Sequence, residues 1–237
     1  MLKFTINVVF LICVLSLTNS SDAFAQADEI RERLKEFKID GDWLSSNVKS
    51  GDAVHYYKMS STTGSPDGNV ESISEYDPRE KVGKRWNLLT VNGAEPTKKQ
   101  NKQFNQFHNP KYKDINGSID PDSYKIERDD DKFLVVKFRY LKESLPGKYR
   151  FLGDCDARVY CKKDIMRVTY AEFVNFRPTK VKMFNVKDLL VELYYTFDEE
   201  SQSYVHQEAR LDIKALIFGQ EQEVEMINYY SDYKVVK

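Results

Sequence analysis

The chain has 237 residues with 36 basic and 37 acidic side chains, a formal net charge of −1, which gives it no electrostatic claim on nucleic acid or an anionic membrane surface. Aromatic residues make up 13% of it against only 10 glycines, a composition that favours strands with sturdy apolar faces. No Ser/Gly/Pro-rich linker and no clear internal repeat divides it, so one large β domain is expected rather than two small ones.

The chain opens MLKFTINVVFLICVLSLTNSSDAFAQADEI. Lys3 precedes an apolar run from Phe4 to Leu17, polar residues follow, and Ala23-Phe24-Ala25 supplies a small-x-small site. This is the layout of a secretory signal peptide. It predicts cleavage after Ala25, with residues 1–25 removed and residues 26–237 folding as a single domain in the periplasm or outside the cell. The run is shorter than the ~20 apolar residues of a spanning helix and contains Thr5 and Asn7. Cys13 lies inside it, after Ile12, which is not where a lipidated cysteine falls.

Asp28 to Phe37 reads as a short helix, with Ile30, Leu34 and Phe37 on one stripe. Strand-like runs follow from Ala53, Asn69 and Lys84, the first two separated by the turn-rich STTGSPDG. Thr97 to Phe107 lacks strand alternation and is rich in Lys and Gln, so a helix is expected there. Its apolar residues are Phe104 and Phe107, a thin stripe that suits a peripheral position or a lid. From Tyr124 onward, strand patterns alternate with short polar connections such as DEESQ and GQEQ. Connections this short join antiparallel neighbours, since a parallel crossover takes a dozen residues or more. The expected architecture is mainly β with a few helices, built on an antiparallel meander.

The longest strand pattern separates two faces. Val205, Gln207, Ala209, Leu211, Ile213, Ala215 and Ile217 alternate with Tyr204, His206, Glu208, Arg210, Asp212 and Lys214, so a period of 2 places the first set on one side and the charged set on the other. Leu189, Val191, Leu193, Tyr195 and Phe197 supply a second apolar row.

Chemistry-bearing patterns are scarce. His55, His108 and His206 stand apart in the sequence, none at zinc-motif spacing, and each is expected to be a solvated side chain. No nucleophile-elbow, metalloprotease, Walker or dinucleotide-binding fingerprint occurs. Asp129-Asp130-Asp131 lacks the alternation of a calcium loop and reads as a hairpin turn. No cofactor or metal is expected, and no enzymatic activity. An oxidising compartment favours a disulfide between Cys155 and Cys161. A straight strand would hold them about 20 Å apart, beyond bridging reach, unless Gly153-Asp154 turns the chain sharply. Both alternatives, a candidate disulfide and two buried thiols, stay open on the sequence.

In YDPREKVGKRWNLLTVNGAEPT, residues 76–97, Asp77-Pro78 closes a strand, Trp86, Leu88 and Thr90 are expected on one face, Asn92-Gly93 marks a tight turn, and Pro96 suits the first turn of a helix. This stretch, the ending INYYSDYKVV and the order of elements resemble the LolA-like superfamily of periplasmic proteins. The resemblance implies a strongly curved, unclosed antiparallel half-barrel with helices covering an apolar concave face that accepts acyl chains. It carries over no functional residue.

On this reading the chain is expected to be a binding or carrier protein for a hydrophobic ligand, a lipid or a lipoprotein acyl chain. Val191, Leu193, Val205, Ala209, Leu211 and Ile213 would line the trough, and Phe104 and Phe107 would close it. The alternative is an envelope scaffold or sensor partner with a filled core, acting through protein contacts at an edge or loop.

Overall fold

The computed structural model describes residues 25–39, 43–44, 55–65, 68–108, 117–181, 184–217 and 219–236. Apart from Ala25, the expected export signal lies outside the described residues.

Helix α1 covers residues 25–35. Lys38, at φ 61°, closes it in the left-handed region. There the Ile39 amide reaches back to the Leu34 carbonyl at 3.2 Å and the Lys38 amide to Lys35 at 3.0 Å, the paired bonds that satisfy the last carbonyls of a helix. The strands are β1 (His55–Ser65), β2 (Gly68–Tyr76), β3 (Trp86–Val91), β4 (Lys125–Asp129), β5 (Phe133–Phe138), β6 (Cys155–Lys162), β7 (Arg167–Asn175), β8 (Thr179–Val181), β9 (Phe184–Asp198), β10 (Ser203–Ile217) and β11 (Gln220–Val235). Helix α2 (Lys98–His108) follows β3. Thr97 caps it: its hydroxyl accepts from the Gln100 amide, and the Gln100 side chain accepts from the Thr97 amide, a reciprocal capping box. Pro96 therefore sits just outside the helix rather than in its first turn.

All pairings are antiparallel, in the order β3-β2-β1-β11-β10-β9-β7-β6-β5-β4, with β8 beside β9. The sheet has 11 strands and two free edges, β3 and β4, so it is not closed into a barrel. The hairpins follow the sequence pattern; Asn92 (φ 50°) and Gly93 (φ 75°) form the expected tight turn. The pairing of β1 with β11 joins strands from the two ends of the fold, His55 lying opposite Val235.

The face that carries α1 is the inner face. Ala27, Ile30, Leu34 and Phe37 bury against Leu134, Val136, Phe138, Ala157, Val159, Ala171 and Phe173, forming a continuous core under β5, β6, β7 and β9. Cys155 and Cys161 point into this core from the same strand, and both are free thiols. The candidate disulfide is not formed, because alternation along β6 aims both side chains at the same apolar layer instead of at each other.

Several bulges interrupt the register, and two of them reset the alternation where the sequence pattern reads as unbroken. Gln207 is the extra residue between His206, opposite Tyr195, and Glu208, opposite Tyr194. Leu89 is the extra residue between Leu88, opposite Ser74, and Thr90, opposite Ile73. An inserted residue inverts the phase of the strand around it. Thr90 accordingly lies on the other side from Trp86 and Leu88. Upstream of Gln207, Tyr204 and His206 face inward and Val205 faces outward, the reverse of the sequence expectation.

Candidate binding face

Register carries the inner face across the whole sheet. Val191 lies opposite Leu211, Leu193 opposite Ala209, and Leu189 opposite Ile213. Leu211 then pairs with Met226, Ala209 with Asn228 and Ile213 with Val224. Paired residues project to the same side, so these side chains form one row. The leucines, isoleucine and valines nearest α1 pack against the core, and Val191, Leu193, Leu211 and Ile213 are only partly buried there. Ala209, Val224 and Met226 are half-buried too. At one end, Ile213 and Val224 border a depression of about 600 Å³ whose remaining lining is Gly64, Asn69 and the charged Asp212, Lys214, Glu223 and Glu225.

Beyond this row an aromatic cluster occupies the inner side of β1, β2, β3 and β11. Tyr57 stacks on Tyr76 at 5.1 Å, and Trp86 meets the edges of Tyr57 and Tyr76 at 5.6 and 5.3 Å. The ring contacts continue in both directions. Trp43 lies 5.5 Å from Tyr195, Tyr195 is 4.8 Å from His206, His206 is 5.4 Å from Tyr230, and Tyr230 is 5.8 Å from Tyr57. On the far side Trp86 is 5.1 Å from His108, which stacks on Phe104 at 4.2 Å. A ribbon of rings thus runs from Trp43 to Phe104 across the inner face.

All three histidines join this ribbon, His55 through Tyr233, whose ring lies 5.7 Å from His55 and 5.2 Å from Tyr57, and none is the solvated side chain the sequence suggests. His55 is 1% exposed, its Nε2 lying 2.8 Å from Asp198 Oδ2. Asp198 is held down to about 2 by the Ser201 hydroxyl and His55. Ser201 donates to that carboxylate at 2.5 Å, so the serine hydroxyl is directed to the acid rather than to the imidazole. The arrangement fastens the start of β1 to the β9–β10 turn; it does not set up a nucleophile. Burial pushes His108 and His206 down to about 4, so both are neutral at pH 7. His206 became an inward residue through the Gln207 bulge, which a single-strand alternation does not reveal.

At the inner positions of β1, β2, β3, β9, β10 and β11 from Tyr57 to Tyr230, the register places no Lys, Arg, Asp or Glu. Charge lies outside, where Arg158 bonds Glu127 at 2.6 Å and Glu172 at 3.3 Å, and the Tyr170 ring stands 4.9 Å from each of those of Tyr160 and Tyr194. Among the described residues no His, Cys, Asp and Glu side chains gather as a metal site.

Of the residues the sequence singled out, Val191, Leu193, Ala209, Leu211 and Ile213 come together on the inner row. Val205 is buried, 5% exposed, but on the opposite side of its strand. Phe104 packs over Trp86 of β3, four strand positions from β10; α2 therefore covers the β3 edge rather than the middle of the row. Phe107 belongs to the same helix, and its side chain lies outside the described residues. Three inner-face polar residues escaped the sequence reading: Ser74, Asn228 and His206. Ser74 shares its face with Val70, Ser72 and Tyr76, an alternation visible in NVESISEY, while nothing near Asn228 in the sequence distinguishes it.

No protein-family model matches the chain, and no curated protein matches it in sequence. Solved structures with a similar outline include a LolA superfamily protein from Nitrosomonas europaea, at 11% identity over 81% of this chain and 90% of that one with a TM-score of 0.34. A DUF1329 family protein from Desulfovibrio piger is similar over 91% of this chain and 92% of its own, at 7% identity and a TM-score of 0.36. An outer membrane lipoprotein-sorting protein domain from Vibrio parahaemolyticus covers 78% of this chain and 86% of its own, at 12% identity and a TM-score of 0.34. Likenesses this distant assign the chain neither a ligand nor an activity.

Proposed function

We propose that the protein binds or carries a hydrophobic ligand, the acyl chain of a lipid or lipoprotein, along the inner row of β9, β10 and β11. The observation that carries this reading is the row itself. Val191, Leu193, Leu211 and Ile213 remain only partly buried although the α1 core begins beside them, and the surrounding inner positions hold no charge. An apolar surface of this kind, only partly buried and bordered by aromatic rings, is suited to a slender apolar ligand. The binding is without chemistry. The N-terminal sequence, read as an export signal, supports a site of action in the periplasm or outside the cell, and no helix among the described residues is long and apolar enough to cross a membrane.

A second reading, a partner-binding envelope protein, is favoured by one observation on the outer face. Ile73 and Tyr229, 40% and 50% exposed, flank Ser60 in one row across β2, β1 and β11.

Organic extraction of protein purified without detergent separates the two. The carrier reading expects acyl lipid near one equivalent per chain. An extract without lipid, from protein that also fails to take up an added acyl chain, leaves the partner-binding reading.

A further inference from the structure

A separate opening lies where β7 and β9 part, away from the acyl-binding row. Their ladder runs from Val174–Leu190 to Tyr170–Tyr194 and ends there, although β7 reaches back to Arg167 and β9 on to Asp198. Bulges at that level account for the parting. Thr169 is the extra residue of β7 against β6, and Gln207 that of β10 against β9; a bulge bends its strand and ends pairing. Past the last pair the Val168 amide donates to the Tyr204 hydroxyl at 3.0 Å instead of to β9. The parted strands border a cleft of about 570 Å³ whose lining includes Ile165, Arg167, Thr169, Thr196, Phe197 and Gln207.

Arg167 is the cation of this cleft. Its side chain is 21% exposed and its guanidinium lies over the Phe197 ring, 4.4 Å from the centroid, a stacking that holds the fork in place. Its hydrogen bonds among the described residues are one to Glu199 at 2.8 Å and one to the Met166 carbonyl at 3.0 Å, which leaves most of the five N–H donors of a guanidinium uncommitted. The Glu199 carboxylate is 69% exposed on the β9–β10 turn, and an ion pair to so exposed a partner contributes little. Ile165, 50% exposed, and Phe197 give the cleft apolar walls, while Thr169, Thr196 and Gln207 supply hydroxyls and an amide.

We propose that this cleft binds a carboxylate joined to a short apolar group, with Glu199 standing in for that carboxylate when the cleft is empty. The incoming carboxylate takes the Arg167 fork with two parallel hydrogen bonds, the geometry that suits a guanidinium best, and releases Glu199 to water. The apolar group then rests against Ile165 and Phe197. A peptide ending in an apolar residue and a small branched-chain acid both present this chemistry. The site is independent of the inner row, so it stands or falls apart from the acyl-binding reading.

The test is a chemical-shift titration of the ¹⁵N-labelled protein at pH 7.5 with N-acetyl-leucine, the peptide acetyl-Ala-Ala-Leu and the C-terminal amide of each. The acids should bind saturably, moving the amides of Val168, Thr169, Thr196 and Phe197, and the amides of the ligands should bind at least about 10-fold more weakly, as loss of a charge-assisted pair implies. A peptide several-fold tighter than N-acetyl-leucine supports the cleft with a peptide end as its source; equal affinities support it with a small acid. Arg167→Gln should weaken the acids at least about 10-fold. Glu199→Gln removes the competing carboxylate from an exposed turn and should tighten them about 2–5-fold, the worth of a surface ion pair, an effect that a merely structural Arg167–Glu199 pair would not produce. No saturable binding of either acid, amides that bind as well as acids, or a Glu199→Gln protein that binds no tighter than the parent overturns the proposal.

Discussion

Tyr204 and Phe37 are joined across the core: the Tyr204 hydroxyl donates to the Phe37 carbonyl at the end of α1 and accepts from the Val168 amide at 3.0 Å. The ring also stands 5.3 Å from Trp43 and 5.0 Å from Phe197. One side chain thus fastens the covering helix to two strands. Tyr204→Phe keeps the ring and strands two backbone groups in a buried site. The expected loss is about 2–4 kcal/mol of unfolding free energy, read as a lower urea midpoint at unchanged slope. A midpoint within error of the parent would show that α1 is not fastened here.

Acid should weaken the fold in two separate steps. Burial lowers His206 in the folded protein from 6.5 to about 4, so the unfolded chain takes up its proton first as pH falls. The contribution of the neutral ring is complete above about pH 6.5 and drains away down to pH 4, by up to roughly 3 kcal/mol. His108, lowered by burial to about 4 as well, loses stability over the same window. Asp198 is depressed instead, to about 2, so its contribution persists to the ordinary carboxylate range and is lost only between about pH 3.8 and 2. Urea midpoints measured between pH 7 and 4.2 should therefore fall, and His206→Phe should flatten that fall by about half. An equally steep fall in the variant would mean that His206 is not buried neutral.

Much of the sheet was legible because its information is local. Alternation in KFLVVKFRYL and DLLVELYYTF, polar connections too short for crossovers and the Asn92-Gly93 turn specify antiparallel hairpins within a few residues of themselves. Leu211, Ile213, Val191 and Leu193 fall on the inner face for the same reason. What escaped is non-local. A bulge such as Gln207 is defined by the partner strand, which places Tyr194 and Tyr195 opposite Glu208 and His206, and one missed bulge inverted Val205, Tyr204 and His206 together. The pairing of β1 with β11 likewise has no marker in either strand, yet it brings His55, Tyr57 and Trp86 to the same face as His206. The ring ribbon was for that reason hidden.

The cysteines should behave as buried thiols. Cys155 and Cys161 are 1% and 0% exposed, and burial pushes both thiols up to about 12, which suppresses the thiolate that alkylating reagents attack. Maleimide should label neither in the native protein and both after unfolding, with no reductant needed. Labelling of unfolded protein only after reduction would establish a bridge and place β6 in error.

The acyl-binding row is tested most directly at Leu211, which lies between Val191 and Met226, against its neighbour Arg210, whose guanidinium bonds Glu208 on the outer face. Titration of delipidated protein with a fluorescent acyl probe should give saturable binding in the parent. Leu211→Asp should weaken it at least about 10-fold, since an unpaired carboxylate in an apolar contact costs more than the 1.4 kcal/mol that factor represents, with the far-ultraviolet dichroism of the sheet retained. Arg210→Ala should bind as the parent does. Saturable binding that Leu211→Asp leaves untouched, or no binding by the parent at all, would contradict the assignment of the inner row as the ligand site.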